Sequence, residues 1–391
     1  DLDRVGFVAD IAGGWVRLGA AREGERRVAI ILANYPNRDG RIGNGVGLDT
    51  PASAAALSCA LEQHGYQTGG APRSGEELMA MLLDGPTNAA RGPDITSGES
   101  LSVERYLAFF STLPKATRNA VTQRWGEACS DPFCDGDEFV LPAHRFENLA
   151  IGIQPARGYN IDPKATYHDP DLVPPHGYLA FHAWLRGMFD AHAVVQLGKH
   201  GNLEWLPGKA LAVGPECFPE AALGPVPLIY PFIVNDPGEG SQAKRRTSSV
   251  IVDHLTPPMT RAETYGLLRD LEVLVDEYFE AAQLDPRRAA QLRRDILENA
   301  STTGLDADCG IAGEESEEAA LAKLDAHLCD LKELQIRDGL HVLGSAPEGD
   351  RLTRLLVALA RVPRVAGEAG DASLIRALSA DLELKFDPLD A

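Results

Sequence analysis

The sequence lacks most of the features that would assign it quickly. Its six cysteines include no Cys-x-x-Cys pair. Cys129 and Cys134, in A-C-S-D-P-F-C, sit five apart, a poor zinc half-site. With nothing marking secretion, reduced thiols are expected. There is no run of about 18 apolar residues of the kind a membrane-spanning helix needs, and no charged-then-apolar signal segment opens the sequence. Basic charge is scarce: 37 Lys and Arg stand against 57 Asp and Glu, a formal net charge of −20. That balance excludes the basic footprint that nucleic acids or anionic membranes require. No G-x-x-x-x-G-K-[ST] loop occurs, H-E-x-x-H is absent, and the glycines of G-N-G-V-G-L-D (Gly43–Asp49) have the wrong spacing for a dinucleotide fingerprint. No internal repeat is present. The expectation is a soluble, cytoplasmic protein, and the opening Asp1 suggests an internal piece of a longer polypeptide.

What is present reads as globular. Apolar residues make up 44% and charged residues 24% of 391, enough for two or three domains. R-V-A-I-I-L-A-N-Y-P, from Arg27, is the continuous apolar run of a buried parallel strand. A glycine-rich loop follows, then a helix with Thr50 as its expected cap, Pro51 at its first position and Gly65 closing it. Ser74 and Glu77 form a capping box for a second helix. Helical patterns recur around 102–112 and 114–125. From Phe139 a second block carries strand-like runs at 148–154, 193–197, 228–234 and 249–252, with an amphipathic helix over 176–189. Beyond Pro258 the pattern turns helical: Thr260 and Glu263 make a capping box, and Leu267, Leu271, Leu274, Tyr278 and Ala282 recur at helical spacing. Further helices are expected near 287–299, 314–337, 351–361 and 372–382. The expected architecture is α/β, mostly parallel sheets with flanking helices, followed by an all-helical C-terminal region. Its units are 1–138 (α/β with a helical insert), 139–259 (α/β, bearing the main polar motifs) and 260–391 (helical).

Four polar clusters follow four of the expected strands, where open α/β sheets place their ligand crevice. They are Asn34–Asp49, His200–Trp205, Asn235–Arg246, and Asp253 with His254. V-V-Q-L-G-K-H-G-N-L-E-W-L-P-G (Val194–Gly208) is the most informative: an apolar run enters a glycine-bounded turn presenting His200, Asn202, Glu204 and Trp205. An imidazole can ligate a metal, and a carboxylate can accept a proton or share the ligand role. The alternative is that His200 and Glu204 only brace the turn, because Gly201 and Pro207 argue against one helix face. N-D-P-G-E-G-S-Q-A-K-R-R, from Asn235, enters a helix whose Lys244, Arg245 and Arg246 suit carboxylates or phosphates. They are otherwise a solvated basic face, or are neutralised by Asp236 and Glu239. Asn34, Asn37, Arg38 and Asp39 line a site or simply make a turn. His176 and His182 lie six apart on the helix before the key strand, and one is expected to satisfy a core hydrogen bond. Glu314–Glu318 reads as a solvated helix start.

The runs R-V-A-I-I-L-A-N-Y-P-N-R-D-G-R-I-G-N-G-V-G-L-D-T-P, L-G-K-H-G-N-L-E-W-L-P-G-K, I-Y-P-F-I-V-N-D-P-G-E-G-S-Q-A-K-R-R, V-I-V-D-H-L-T-P-P and I-R-D-G-L-H-V-L-G (Ile336–Gly344) resemble the CobN/magnesium chelatase H-subunit family. The resemblance is nearer to its cobalt branch, and it covers essentially the whole chain. It implies ATP-dependent insertion of Co²⁺, as substrate, into the tetrapyrrole hydrogenobyrinic acid a,c-diamide during aerobic cobalamin synthesis. ATP and Mg²⁺ would sit on a partner AAA+ ATPase subunit with its co-subunit, in keeping with the missing phosphate loop. The rest of the large subunit would complete the enzyme. In that setting Glu204 is the expected proton acceptor or transient metal ligand, and His200 the metal ligand or shuttle, with His254 a further ligand candidate. Asn202, Trp205, Asn235, Asp236, Glu239, Lys244, Arg245, Arg246, Asn34 and Arg38 are expected to bind the tetrapyrrole, the cations by pairing its carboxylates. The alternatives are a magnesium chelatase H-type subunit acting on protoporphyrin IX and a non-catalytic tetrapyrrole-binding module.

Overall fold

The computed structural model describes residues 2–34, 42–45, 47–88, 97–158, 171–198, 201–211, 213–232, 237–253, 286–303, 341–363 and 373–389, with scattered positions between 271 and 324. In chain order the strands are β1 (Val28–Leu32), β2 (Asn44–Gly45), β3 (Leu48–Asp49), β4 (Glu99–Ser102), β5 (Cys134–Asp135), β6 (Glu138–Leu141), β7 (Ala143–Phe146), β8 (Leu149–Ile153), β9 (Ala193–Leu197), β10 (Leu228–Phe232) and β11 (Val250–Asp253). The helices are α1 (Leu2–Ala20), α2 (Thr50–Gln63), α3 (Gly75–Asp84), α4 (Val103–Thr112), α5 (Lys115–Trp125), α6 (His176–Ala183), α7 (Phe218–Leu223), α8 (Pro237–Thr247), α9 (Pro286–Thr303), α10 (Gly349–Ala360) and α11 (Leu374–Asp381). None of the described helices is long and apolar enough to cross a membrane.

The central sheet runs β11-β10-β9-β1-β8-β7, parallel except for the antiparallel edge strand β7. Every residue of β1, β8 and β9 is buried, as their unbroken apolar runs require when both sheet faces are covered. Side chains alternate between the two faces. Val28, Ile30, Leu32, Ile151, Val195 and Leu197 pack under α2 and α3 with Ala54, Leu78 and Leu82. Ala29, Ile31, Val194 and Tyr230 join the cluster formed by α4, α6 and α7. Because β1 sits mid-sheet among strands drawn from 143–253, the boundary expected at 138/139 does not divide one sheet from another.

Most expected elements appear with small shifts. The cap of α2 is Asp49, whose carboxylate accepts from the Ala52 N–H, with Thr50 one residue inside. Pro51 then occupies an early position where no N–H is needed. The Ser74 hydroxyl accepts from the Glu77 N–H, the first half of a capping box, while the Glu77 carboxylate reaches back to the Arg73 N–H, one residue before the cap. The 176–189 helix is α-helical to Ala183 and widens to i→i+5 bonding over Trp184–Met188. Helix α1, the short sheet β4-β6-β5 and helix α7 have no counterpart in the sequence reading. In α1 the cause is its weak patterning: only Gly14 is buried, and the helix is held by the Arg4–Glu220 ion pair to α7.

In the C-terminal region Leu271, Val275, Tyr278, Leu292, Ile296, Leu321 and Leu324 form a separate apolar cluster. The 260/263 capping box lies outside the described residues. One C-terminal segment returns to the sheet. The main chain of His341 bridges Leu48, its N–H donating to the Gly47 carbonyl at 3.1 Å, and its carbonyl accepts from Asp49 at 2.9 Å. Leu343 N–H then reaches the Ser53 hydroxyl at 3.0 Å.

His176 is the histidine that satisfies a core hydrogen bond: its ring nitrogens pair with the Tyr106 hydroxyl at 2.6 Å and the Gly126 carbonyl at 3.0 Å. His182 packs between the Tyr178 and Phe181 rings, and burial, aided by Arg186, pushes its imidazole down to about 3. The unfolded chain therefore binds a proton that the folded state refuses between pH 6.5 and about 3, so stability falls as pH falls through that window. His182→Phe should flatten the dependence of unfolding free energy on pH there by up to about 1.4 kcal/mol per pH unit. Urea unfolding of both proteins at about pH 7.5 and about pH 5 measures this; equal slopes would remove His182 from the acid response.

Candidate functional site

From β1 the chain passes to β8 on one side, and from β9 to β10 on the other. The two strands are neighbours, with Leu32 opposite Leu197, so the chain leaves their carboxyl ends in opposite directions. This is the topological switch point at which open α/β sheets hold their ligands. Gly198 begins the turn at φ +140°, and a Cβ there would lie 2.4 Å from that of Ala33. Only glycine lets the two strand ends approach so closely. Asn34, just beyond β1, is buried and bridges Ile42.

The turn carries its polar groups inward. Leu203–Trp205 is a single 3₁₀ turn, and Glu204 is its middle residue. Glu204 is 1% exposed. Its Oε1 accepts from the Tyr230 hydroxyl at 2.9 Å, and the same hydroxyl accepts from the Gly201 N–H. Asn202 is fixed from two sides: its Oδ1 accepts from the Tyr178 hydroxyl at 2.8 Å, and its Nδ2 donates to the Pro155 carbonyl at 2.9 Å. Burial pushes the Tyr178 phenol well up, partly offset by positive Arg157 and reinforced by Glu204. Trp205 is half-buried. The turn closes at Gly208, φ +141°, where a Cβ would strike Cys217, whose Sγ accepts from the N–H groups of Lys209 and Gly214.

The three consecutive cations separate. All lie in the last turn of α8, where positive charge complements the helix dipole. Lys244 and Arg245 are exposed, whereas Arg246 is buried and directed at the turn. Its Nη1 donates to the Glu204 carbonyl at 2.6 Å and its Nε to the Lys209 carbonyl at 3.0 Å. Burial lowers the guanidinium from its usual value, with Cys217 and Glu204 acting the other way. Arg246 is thus committed to the 204–209 backbone, whereas Lys244 and Arg245 face solvent.

His200, His254, Asn235, Asp236 and Arg38 lie outside the described residues, and of Glu239 only the backbone, on α8, is described. Among the described residues no group of three or more His, Cys, Asp or Glu is placed to hold a metal. Two of the side chains that fix the turn, Tyr230 and Tyr178, sit within apolar elements, where the sequence hides them. Gln196, on β9, donates to the Ile31 carbonyl at 3.2 Å and to Gln154 Oε1 at 3.0 Å. Gln154 and the buried Arg157 follow β8, so the strand-end rule that flagged four clusters extends to a fifth.

Comparison with known proteins gives a consistent answer. The family model described as CobN/Magnesium Chelatase matches residues 1–391. An aerobic cobaltochelatase subunit CobN from Sinorhizobium sp is 60% identical over 99% of this chain and 32% of its own length. Another, from Pseudomonas aeruginosa, is 54% identical over 100% of this chain and 31% of its own. The chain thus spans about a third of these relatives. The solved catalytic subunit of cobaltochelatase from Mycobacterium tuberculosis superposes with a TM-score of 0.69 at 42% identity, over 96% of this chain and 32% of that one.

If Arg246 braces the turn while its neighbours are solvated, Arg246→Gln should cost about 3 kcal/mol, because two carbonyls lose a charged donor. Lys244→Gln and Arg245→Gln should each stay within about 0.5 kcal/mol. Denaturant unfolding of the three variants measures the difference, and equal losses would refute the separation.

Proposed function

The chain belongs to the CobN/magnesium chelatase family, and from that premise we propose that it forms the tetrapyrrole- and metal-handling part of a cobaltochelatase large subunit. In this reading the complete enzyme inserts Co²⁺ into hydrogenobyrinic acid a,c-diamide for aerobic cobalamin synthesis, with ATP hydrolysed by AAA+ partner subunits. The observation that carries the proposal is a single one: a carboxylate, Glu204, held almost fully buried at the switch point of the sheet.

Metal insertion needs a ring N–H proton removed, water stripped from the cation and the macrocycle held against both. A carboxylate within a water-poor site, fixed by its neighbours, suits the first task. Glu204 accepts the ring proton as the metal–nitrogen bond forms, and its carboxylate can serve as an oxygen donor to a cation shedding water. His200, four residues earlier in sequence, serves as metal ligand or proton shuttle, and His254, the residue after β11 in sequence, as a further ligand. Asn34 and Arg38, which follow β1 in sequence, Asn202 and Trp205 on the turn, Asn235 and Asp236, which precede α8 in sequence, and Glu239 within it contact the tetrapyrrole. Exposed Lys244 and Arg245 pair its peripheral carboxylates. Arg246 acts from below, holding the Glu204 backbone.

In the full-length subunit assembled with its partners, Glu204→Gln should lower cobalt insertion by at least about 100-fold. Tetrapyrrole affinity, followed by absorbance titration, should change little, because the amide keeps the shape of the carboxylate. Turnover at the wild-type rate would remove Glu204 from the mechanism. Supplying Mg²⁺ with protoporphyrin IX to the same assembly should yield no insertion; the reverse preference would assign the chain to the magnesium branch.

A further inference from the structure

We propose that Tyr230 is a positioning residue for metal insertion, its phenol aiming the Glu204 carboxylate and tying it to the Gly201 backbone. This rests on the reading of Glu204 as proton acceptor. A phenol has one proton and two lone pairs to place. The Gly201 N–H occupies a lone pair, so the phenol proton is turned away from the backbone and onto Glu204 Oε1, 2.9 Å away. The two partners differ in stiffness. Tyr230 is 1% exposed within β10, a strand paired on both sides, whereas Glu204 sits on a turn and its side chain has one more rotatable bond than a tyrosine's. The strand therefore fixes where the carboxylate points.

Removing the phenol hydroxyl withdraws the donor that holds Glu204 Oε1 in place and leaves the packing of the ring unchanged. A second buried phenol at the same turn supplies an internal contrast. Tyr178 donates to Asn202 Oδ1, a neutral amide, and so braces the loop without contacting the carboxylate through its hydroxyl. If both tyrosines were only braces, deleting either hydroxyl would have the same consequence.

The test is the kcat–KM split for cobalt insertion by the full-length subunit with its partner subunits, comparing wild type, Tyr230→Phe and Tyr178→Phe. Tyr230→Phe should lower kcat about tenfold and leave KM for the tetrapyrrole within about twofold, because the group that is misaimed acts in the chemical step. Tyr178→Phe, which acts through Asn202, should instead raise KM a fewfold and lower kcat by less than about threefold. Incorporating 3-fluorotyrosine at position 230, which keeps the hydroxyl and nearly the same shape, should hold kcat within about threefold of wild type, and this arm holds even if the phenylalanine variant misfolds. Wild-type kcat in Tyr230→Phe, a tenfold loss with 3-fluorotyrosine, or the same split in both tyrosine variants overturns the inference. Glu204→Gln in the same assay separates the two levels. If it is active, the reading of Glu204 fails; if it is inactive while Tyr230→Phe turns over normally, only the present inference fails.

Discussion

β1 and β9 run side by side with Leu32 opposite Leu197, and the sheet continues from them in opposite directions, to β8 and to β10. The polar groups described above gather at that divergence. Ala33 and Gly198 approach closely there, and the turn from Gly201 to Gly208 is tied to the end of β8 through Asn202 and the Pro155 carbonyl. Parallel strands buried on both faces make this geometry stiff, because a shift in register would move whole rows of apolar side chains to the wrong layer.

The turn itself has little regular structure, and its shape is held by side chains. Arg246 takes the carbonyls of Glu204 and Lys209, Asn202 spans from Tyr178 to Pro155, and Cys217 receives two N–H groups. Each contributor comes from a different element, so the turn is fixed by the assembled domain rather than by its own sequence. Burying an arginine and a glutamate is costly unless their hydrogen bonds are made. Here the guanidinium binds the backbone of the residue whose carboxylate it sits near, which leaves the carboxylate oxygens for other partners.

The parallel strands of the central sheet were legible because short apolar runs between glycine and proline punctuation have few alternatives, and the strand-end rule singled out the turn that carries Glu204. The order of the strands was not, since burial on both faces marks a strand as central without naming its neighbours. Lys244, Arg245 and Arg246 are indistinguishable as a run, and only the helix phase of α8 turns one of them inward. Tyr230 was invisible for a similar reason: in I-Y-P-F it reads as one more apolar strand residue, and its hydroxyl acquires meaning only once Glu204 is placed beside it. The Asp49 cap was missed by one position because Asp and Thr both suit the role, and the backbone decides between them.

The return of His341 to Gly47 and Asp49 spans 294 positions. Closing a loop of that length carries an entropic cost of about 5 kcal/mol, which the bridge to Leu48 and the contacts of Leu343 must offset. The order of assembly follows from this. A ribosome has to deliver the helical C-terminal region before the glycine-rich loop after β1 can be pinned, so the two sides of the crevice mature at different times. The side built on β9 completes first, and the side built on β1 waits for a segment made long afterwards.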